Sequence, residues 1–414
     1  QLRINGANLV RNGLPRNATG CGGDGFYAYV YQEAFNGDWA DRCLPNDGGG
    51  NVYRGSKYPW NANLDYLLGN TLATNTGMDF ITYVNAGYTK ASNHGENDWT
   101  DLYGLTWALT KVPQEQDYLE AVAAHVNVEM FMRYFALGNL LDYCETSMMS
   151  GVGDDYAMYR GVNDPRFILL PHDFDTILGQ GDAAYGGVNA PRAFNTDKSL
   201  WVYVDYPPSG ADPSTRANFR QRFMRHPQFV PIFFQVLKEM CDTIAVPEQF
   251  NPMLDEMLGG WVPNNIITDM KNFMAARRAS IYNQLPLANA LSVNLATNGQ
   301  YYQAAGSNVT LTGRANAIEV KTIQVNGVNS DYTVWQGRWT NTVALRPGIN
   351  NVLVQWLGAN GAALESTNVL IWHDRGGAQA VSGNITTNTV WSAAAGPYRI
   401  GASQIGRASC RERV

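Results

Sequence analysis

Residues 155–175 read DYAMYRGVNDPRFILLPHDFD, and this stretch decides how the amino-terminal part of the chain is interpreted. Its apolar and alternating residues predict two short strands, at 155–160 and at 167–170. The turn-forming residues Gly, Asn, Asp and Pro fill the gap at 161–165. The stretch therefore predicts a β-hairpin whose second strand runs into the polar segment at 172–175.

Acidic residues lie at both ends of this hairpin and just before it. Apolar residues at helical spacing over 117–141 predict one long helix, and Asp142 follows it directly. Asp154 or Asp155 opens the first strand, while Asp173 and Asp175 follow the second. Such carboxylates could together bind a divalent cation, because Mg²⁺ prefers oxygen ligands. Aspartate at helix ends and turns also caps backbone amides, and on the pattern alone that structural role is the commoner one.

The rest of the chain divides at about Pro286. Residues 25–55 are interpreted as strand, loop and strand, and residues 215–285 are predicted to form a helical subdomain. After Pro286, short alternating runs separated by Gly and Pro turns are typical of a β-sandwich. The predicted organisation is given by four ranges: an α+β domain at 1–288, an all-β sandwich at 298–375, a further β segment or the start of another domain at 376–404, and a cloning or assembly artefact at 405–414.

Composition excludes several classes of protein. The chain has 414 residues, of which 45% are hydrophobic, so it is not intrinsically disordered. Its formal net charge of −6 argues against a nucleic-acid partner, which needs clustered basic residues. Apolar runs such as 229–237 fall short of the roughly 20 residues of a membrane span. The chain opens at Gln1 in what resembles the middle of a strand, so we expect a fragment. The oligomeric state is left open.

The cysteines leave two alternatives open. Cys21 and Cys43 flank a predicted strand and would form a disulfide in an oxidising compartment if they lie close together, or else remain thiols. Cys144 and Cys241 stand among apolar neighbours, which favours buried thiols. No cysteine pair has the spacing of a structural zinc site.

Five segments, taken in order, resemble the kinase family of spore-coat protein H (CotH). They are GFYAYVYQE at 25–33, GNVYRG at 50–55, NLLDYC at 139–144 with DYAMYRG at 155–161, and RFILLPHDFD at 166–175. The helical stretch that contains Arg277 and Arg278 is similar to the last helix of that family. The resemblance runs over most of residues 20–285.

This resemblance implies an atypical, protein-kinase-like α+β fold that binds Mg²⁺ and ATP and phosphorylates Ser or Thr of a protein acceptor. Asp142 would orient or deprotonate the acceptor hydroxyl, and Asp173, assisted by Asp155 and Asp175, would hold the cation. Glu33 would lie in the nucleotide lobe, where its carboxylate could order a cation that faces the phosphates, and Arg54 would be a phosphate ligand. The implied location is extracellular or at the cell surface.

The sequence departs from the family pattern at three of these positions. Asp155 stands where the family has Asn, His172 where it has Trp, and Arg54 where it often has Lys. A lone His of this kind more often packs or forms hydrogen bonds than binds a ligand. The basic amino-terminal strands of the family would also precede Gln1, so a chain without them is expected to lose activity.

Two other functions compete with the kinase interpretation. The first is a catalytically inactive coat or scaffold protein that keeps the fold. The second is a carbohydrate-binding or carbohydrate-active surface protein, with Trp335, Trp339 and Trp356 as its sugar-stacking residues, although alternation in a sandwich more often places such residues in the core. The carboxy-terminal domain resembles bacterial immunoglobulin-like appendages, which suggests adhesion or spacing by analogy alone.

Overall fold

The structure is a computed structural model of the 414-residue chain. It describes the following residues: 3–4, 7–8, 34–55, 59, 61–75, 77–143, 148–149, 151, 153–174, 176–180, 195–205, 219–260, 262–373, 379–383, 385, 387, 389–392 and 398–400. Two units divide the chain, Gln1–Leu285 and Pro286–Val414. The domain boundaries predicted from the sequence stay predictions.

Mixed strands and helices build the first unit. Its strands are β1 (Arg3–Ile4), β2 (Ala7–Asn8), β3 (Asn51–Gly55), β4 (Tyr88–Lys90), β5 (Tyr156–Arg160) and β6 (Ile168–Pro171). Its helices are α1 (Gly37–Cys43), α2 (Phe80–Ala86), α3 (Thr100–Thr110), α4 (Glu115–His125), α5 (Val128–Leu141), α6 (Val202–Asp205), α7 (Phe219–Arg225), α8 (Val230–Asp242), α9 (Pro247–Leu258) and α10 (Asn264–Gln284). This α+β content agrees with a kinase-like domain.

One antiparallel sheet carries the predicted hairpin. Its strand order is β4-β3-β5-β6, and β5 pairs with β6 so that Tyr156 lies opposite Pro171. Helix α1 covers one face of this sheet, where Trp39 packs with Val52 and Tyr159. The helices form a second layer in which α5 contacts both α8 and α10. The hairpin prediction is confirmed, and so is the helical region that follows it.

A carboxylate from another loop fixes the turn of the hairpin. The side chain of Asp47 accepts backbone hydrogen bonds from Val162, Asn163 and Asp164, at 2.7, 2.6 and 3.1 Å. The hydrogen bond from Asn163 is the main reason that the pKa of Asp47 lies below its usual value. This tether ties the hairpin turn to the loop that precedes β3.

Two predictions of local structure in this unit are wrong. The helix predicted over 117–141 is interrupted, because Val126 is extended and forms a parallel bridge with Phe167. The side chain of Asn127 then caps α5 by accepting a hydrogen bond from the backbone N–H of Met130. The loop predicted between two strands within 25–55 contains helix α1, whereas residues 25–33 lie outside the described residues.

The second unit consists of two sheets around one core. Its strands are β7 (Ala290–Ser292), β8 (Ala296–Thr297), β9 (Tyr302–Ala304), β10 (Asn308–Arg314), β11 (Thr322–Val325), β12 (Val328–Asn329), β13 (Asp331–Thr333), β14 (Arg338–Ala344), β15 (Gly348–Leu357), β16 (Ala363–His373), β17 (Gln379–Val381) and β18 (Tyr398–Ile400). The sheets are β13-β14-β10-β7 and β12-β11-β15-β16-β9-β8, while β17 and β18 pair separately. Apolar residues of both sheets share one core, as in a sandwich. The immunoglobulin-like class stays a prediction.

Two of the three tryptophans considered for sugar binding belong to this core. Trp339 and Trp356 are 3% and 1% exposed, and both indole N–H groups donate to the carbonyl oxygen of Arg314. Their rings meet edge to face with centroids 6.1 Å apart. Trp335 is half-buried. The burial of this pair argues against a sugar-stacking role for either ring.

Replacing Trp356 with alanine is therefore expected to destabilise the second unit. Removing a buried tryptophan costs about 3–5 kcal/mol of the free energy of unfolding. Amide hydrogen exchange of β10 and β15 in the full chain measures this loss locally. Trp335→Ala is the matched control and should cost clearly less, so equal losses for the two variants would contradict the core assignment.

Two further expectations from the sequence concern the cysteines and membrane-spanning segments. Cys43 is an exposed free thiol, while Cys21 lies outside the described residues. Cys241 is buried, as expected, and burial raises the pKa of its thiol to about 11. Cys144 also lies outside the described residues. None of the described helices is long and apolar enough to span a bilayer.

Candidate cation and phosphate site

The hairpin brings two of the predicted acidic residues together by its pairing. Asp155 directly precedes Tyr156, and His172 directly follows Pro171, the residue that lies opposite Tyr156. The two ends of the hairpin therefore meet at one edge of the sheet. Strand β3 pairs with β5 on its other side, so that Arg54 lies opposite Ala157 close to the same edge.

Three side chains at this edge form a group that could bind a metal ion. Asp155, His172 and Asp173 each offer one ligand atom, and these atoms all lie within 4.8 Å of one another. Asp155 and His172 are half-buried, and Asp173 is exposed. The exposure of Asp173 makes the group accessible to solvent. A cation that also binds a ligand requires such access.

The backbone at these aspartates is unusual. Asp155 and Asp173 have φ of 48° and 56°, in the left-handed region, and Asp142 has φ of 49°. Aspartate tolerates this region better than most residues, but non-glycine residues held there often cluster at functional sites. Asp142 adopts this conformation because it caps the carboxyl end of α5, whereas Asp155 and Asp173 lie at the two ends of the hairpin.

Arg54 and His172 contact each other directly. The Nη2 atom of Arg54 lies 2.8 Å from Nε2 of His172. Because a guanidinium group can only donate, Nε2 accepts this hydrogen bond and the ring is neutral, with its proton on Nδ1. Burial chiefly lowers the pKa of His172, the charge of Arg54 lowers it further, and Asp173 opposes both. Within the described part of the chain, Nδ1 of His172 and Nε of Arg54 are buried without a hydrogen-bond partner.

Asp142 is held in a different environment. It ends helix α5 and is fully buried, and its Oδ1 atom lies 2.6 Å from Nζ of Lys198. The hydroxyl of Tyr203 donates to the same oxygen at 2.7 Å, and the backbone N–H of Asn195 donates to Oδ2 at 3.1 Å. Lys198 also donates to the hydroxyl of Tyr203 at 3.0 Å. Both carboxylate oxygens of Asp142 thus accept hydrogen bonds from the protein.

Tyr143, the neighbour of Asp142 in sequence, contacts the segment that carries the cation group. The hydroxyl of Tyr143 lies 3.5 Å from the carbonyl oxygen of His172, and its ring meets Phe174 edge to face at 4.6 Å. These contacts fix the end of α5 against the segment that carries His172 and Asp173. Asp142 itself is not a member of the metal-binding group found among the described residues.

A buried arginine supports the surroundings of Asp142. Nε of Arg277 donates to the carbonyl oxygen of Asn139 at 2.9 Å, and Nη1 donates to that of Lys198 at 2.6 Å. Burial lowers the pKa of Arg277, whereas the nearby Asp142 opposes that shift. Arg277 thus joins α10 to the end of α5 and to the segment that carries Lys198.

Two predicted site residues fall outside the part of the chain that the structure describes, and two residues that contact Asp142 were not predicted from the sequence. Glu33 and Asp175 lie outside the described residues. Sequence reasoning did not find Lys198 or Tyr203, because a single Lys and a single Tyr in a segment without periodicity give no signal. The partnership of Arg54 with His172 was also missed, although both residues were recognised as departures from a family pattern.

The donor set fits a divalent cation with a phosphate nearby. Two carboxylates and one imidazole are common metal ligands. The Nδ1 atom of His172 and the Nε atom of Arg54 are buried polar atoms without a hydrogen-bond partner among the described residues, which is the situation at a site that binds something further. Arg54 is suited to contact phosphate oxygens because its guanidinium offers several donors in a fixed plane.

Comparison with known protein families identifies the family of the chain. The sequence profile of the family described as CotH kinase protein matches residues 45–272, which is more than half of the chain. The matched range includes Arg54, Asp142, Asp155 and Asp173, and it ends before the second unit begins. No curated protein matches the chain. A profile match over more than half of the chain shows that the chain belongs to the CotH kinase family.

Proposed function

We propose that the first unit binds Mg²⁺ and ATP and transfers the γ-phosphoryl group to Ser or Thr of a secreted or surface protein. Membership of the family supports a kinase-like function in general. The observation that carries the proposal is the approach of Asp155, His172 and Asp173 to within 4.8 Å beside Arg54. Such a group suits phosphoryl transfer, which depends on positioning and charge stabilisation.

Each side chain has a distinct role in this proposal. Asp173 and Asp155, with Asp175, hold the cation, and Arg54 pairs with phosphate oxygens while Glu33 lies on the nucleotide side. When bound, the cation neutralises the charge of the phosphates. Asp173 is the exposed member of this group.

Asp142 is proposed to orient the acceptor hydroxyl, and this role requires an exchange of hydrogen bonds. Both of its oxygens already accept hydrogen bonds, from Lys198, Tyr203 and Asn195. A hydroxyl group that reaches Asp142 therefore has to replace one of these donors. The backbone N–H of Asn195, at 3.1 Å and from an exposed residue, is the weakest of the three.

The same contacts favour a second candidate, a catalytically inactive scaffold protein. A carboxylate that is fully buried in an ion pair with Lys198 contributes to the fold whether or not it takes part in a reaction. In that case the kinase fold serves assembly, and nucleotide binding is not needed. The two candidates differ in whether the purified chain binds nucleotide and transfers phosphate.

Calorimetry and an assay of phosphate transfer distinguish a kinase from an inactive scaffold protein. The full-length protein is titrated with ATP in the presence and absence of Mg²⁺, and is then incubated with γ-labelled ATP and a Ser-rich protein acceptor. We expect binding that depends on Mg²⁺ and label that appears on hydroxyl side chains. No heat with ATP and Mg²⁺ together would refute the proposal and leave the scaffold. Binding without transfer to the acceptor or to the chain itself would support an inactive nucleotide-binding scaffold.

A further inference from the structure

We propose that His172 is a third cation ligand and that its imidazole exchanges between Arg54 and the cation, an inference that rests on the proposed function. The site is then a two-carboxylate, one-imidazole site formed by Asp155, Asp173 and His172. It favours a first-row transition-metal dication such as Mn²⁺ over Mg²⁺. Binding of that cation releases Arg54 toward a phosphate.

The first step of the argument is the separation of the ligand atoms. Atoms that bind one such dication lie within about twice a metal–ligand bond, roughly 4.2 Å, of one another. The atoms offered by Asp155, His172 and Asp173 already lie within 4.8 Å. The β5–β6 pairing holds Tyr156 opposite Pro171, the neighbours of Asp155 and His172, so binding requires only that the side chains close this small remaining gap.

The second step concerns the hydrogen bond between Arg54 and His172. In the structure the lone pair of Nε2 accepts from Arg54 at 2.8 Å. If the cation binds Nε2, it takes the lone pair that Arg54 uses. If the cation binds Nδ1, the ring proton moves to Nε2. The N–H group at Nε2 then faces an N–H group of Arg54, and neither can accept a hydrogen bond. Either mode of binding ends the contact with Arg54.

The third step follows from charge. Arg54 remains cationic, and a guanidinium beside a dication is repelled unless an anion lies between them. A phosphate group supplies that anion and accepts hydrogen bonds from the freed guanidinium. Cation binding and phosphate binding therefore assist each other, and the coupling has to be reciprocal. The buried Nε of Arg54, which has no partner within the described part of the chain, is available for the same phosphate.

The fourth step is the choice of metal. Mg²⁺ prefers oxygen ligands, whereas imidazole nitrogen favours transition-metal dications. A tryptophan at position 172 would leave a site of oxygen ligands only. His172 is therefore the side chain that determines the preference for a transition metal.

Pulsed electron paramagnetic resonance on the full chain with one equivalent of Mn²⁺ tests the ligand. We expect a ¹⁴N coupling typical of a directly bound imidazole, which is absent in His172→Phe and retained in His94→Phe, since His94 is an exposed residue elsewhere. His172→Phe should weaken Mn²⁺ binding by at least about 10-fold and Mg²⁺ binding by less than about 3-fold.

The outcomes distinguish this inference from the proposed function. Bound Mn²⁺ without a nitrogen coupling in the unsubstituted chain would refute the role of His172 and leave the kinase proposal intact. If neither Mn²⁺ nor Mg²⁺ binds, the cation site itself is wrong and both proposals fail. The spectrum of the unsubstituted chain decides the ligand even if His172→Phe does not fold, and His172→Gln offers a smaller change.

Arg54→Met tests the exchange. Without nucleotide, this variant should bind Mn²⁺ about 3- to 10-fold more tightly than the unsubstituted chain, because a competing cation is removed. ATP should raise the affinity for Mn²⁺ in the unsubstituted chain and have little effect in Arg54→Met. Weaker binding of Mn²⁺ by Arg54→Met in the absence of ATP would show that Arg54 does not compete for His172.

Discussion

Replacing Asp173 with asparagine is expected to lower phosphate transfer by about 10²- to 10³-fold while the fold is retained. Asp173 is an exposed member of the cation group, so loss of its charge removes attraction for the cation and little packing. Asparagine also tolerates the left-handed backbone at φ of 56°, which alanine would not. The rate of label transfer from ATP, at a Mg²⁺ concentration that just saturates the unsubstituted chain, measures the effect.

The matched control is Asp164→Asn. Asp164 lies in the turn of the same hairpin and pairs with Arg166 at 2.7 Å, outside the cation group. It should keep at least about half of the activity, because exposed ion pairs contribute little. Raising the Mg²⁺ concentration should restore part of the activity of Asp173→Asn and none of the small loss in the control. Equal activities of both variants and the unsubstituted chain would remove Asp173 from the reaction.

The hairpin and the long helix show what local sequence can predict in this chain. The hairpin was predictable because its alternation and its turn residues are local, and the turn tolerates only a few residue types. The break in the helix was not, since the apolar spacing continues in phase across Val126 and Asn127. What decides the break is a contact with Phe167, about forty residues later in the chain. Periodicity reports which residues face the core and not whether the helix is continuous.

The candidate site likewise contains residues whose positions could be predicted from the sequence and residues whose positions could not. Asp155 and Asp173 could be placed together from the sequence because the register of a hairpin brings its ends together. Asp142 could not be placed, because its position depends on how α5 packs and on a partner 56 residues later, Lys198. The partnership of Arg54 with His172 depends on a pairing of β3 with β5 that is distant in sequence. Long-range pairings of this kind leave no local pattern.

Replacing Lys198 with methionine is expected to lower the free energy of unfolding of the first unit by about 3–5 kcal/mol. Methionine keeps much of the length of the side chain and removes the charge. Asp142, fully buried, is then left without the cation that lies 2.6 Å from its Oδ1, and Arg277 donates to carbonyl oxygens rather than to this carboxylate. Urea denaturation, followed by circular dichroism at helical wavelengths, measures the loss.

A double-mutant cycle shows whether the ion pair is the cause. The double variant Asp142→Asn with Lys198→Met removes both charges and should recover most of the loss, because no buried charge then lacks a partner. Lys238→Met, which removes an exposed lysine paired with Asp242 one helical turn away, should cost at most about 0.5 kcal/mol. Additive losses in the cycle would show that Lys198 stabilises the fold by other means.

The same double variant separates the two candidate functions. If the pair serves the fold alone, a folded double variant keeps whatever phosphate transfer the unsubstituted chain has. If Asp142 orients the acceptor hydroxyl, the double variant folds and binds ATP with Mg²⁺ but loses transfer, because an amide cannot accept the proton of the hydroxyl. Binding is retained in that case because the cation group of Asp155, His172 and Asp173 does not include Asp142. A stable, nucleotide-binding and inactive double variant therefore assigns Asp142 to catalysis, whereas full transfer by that variant assigns it to the fold.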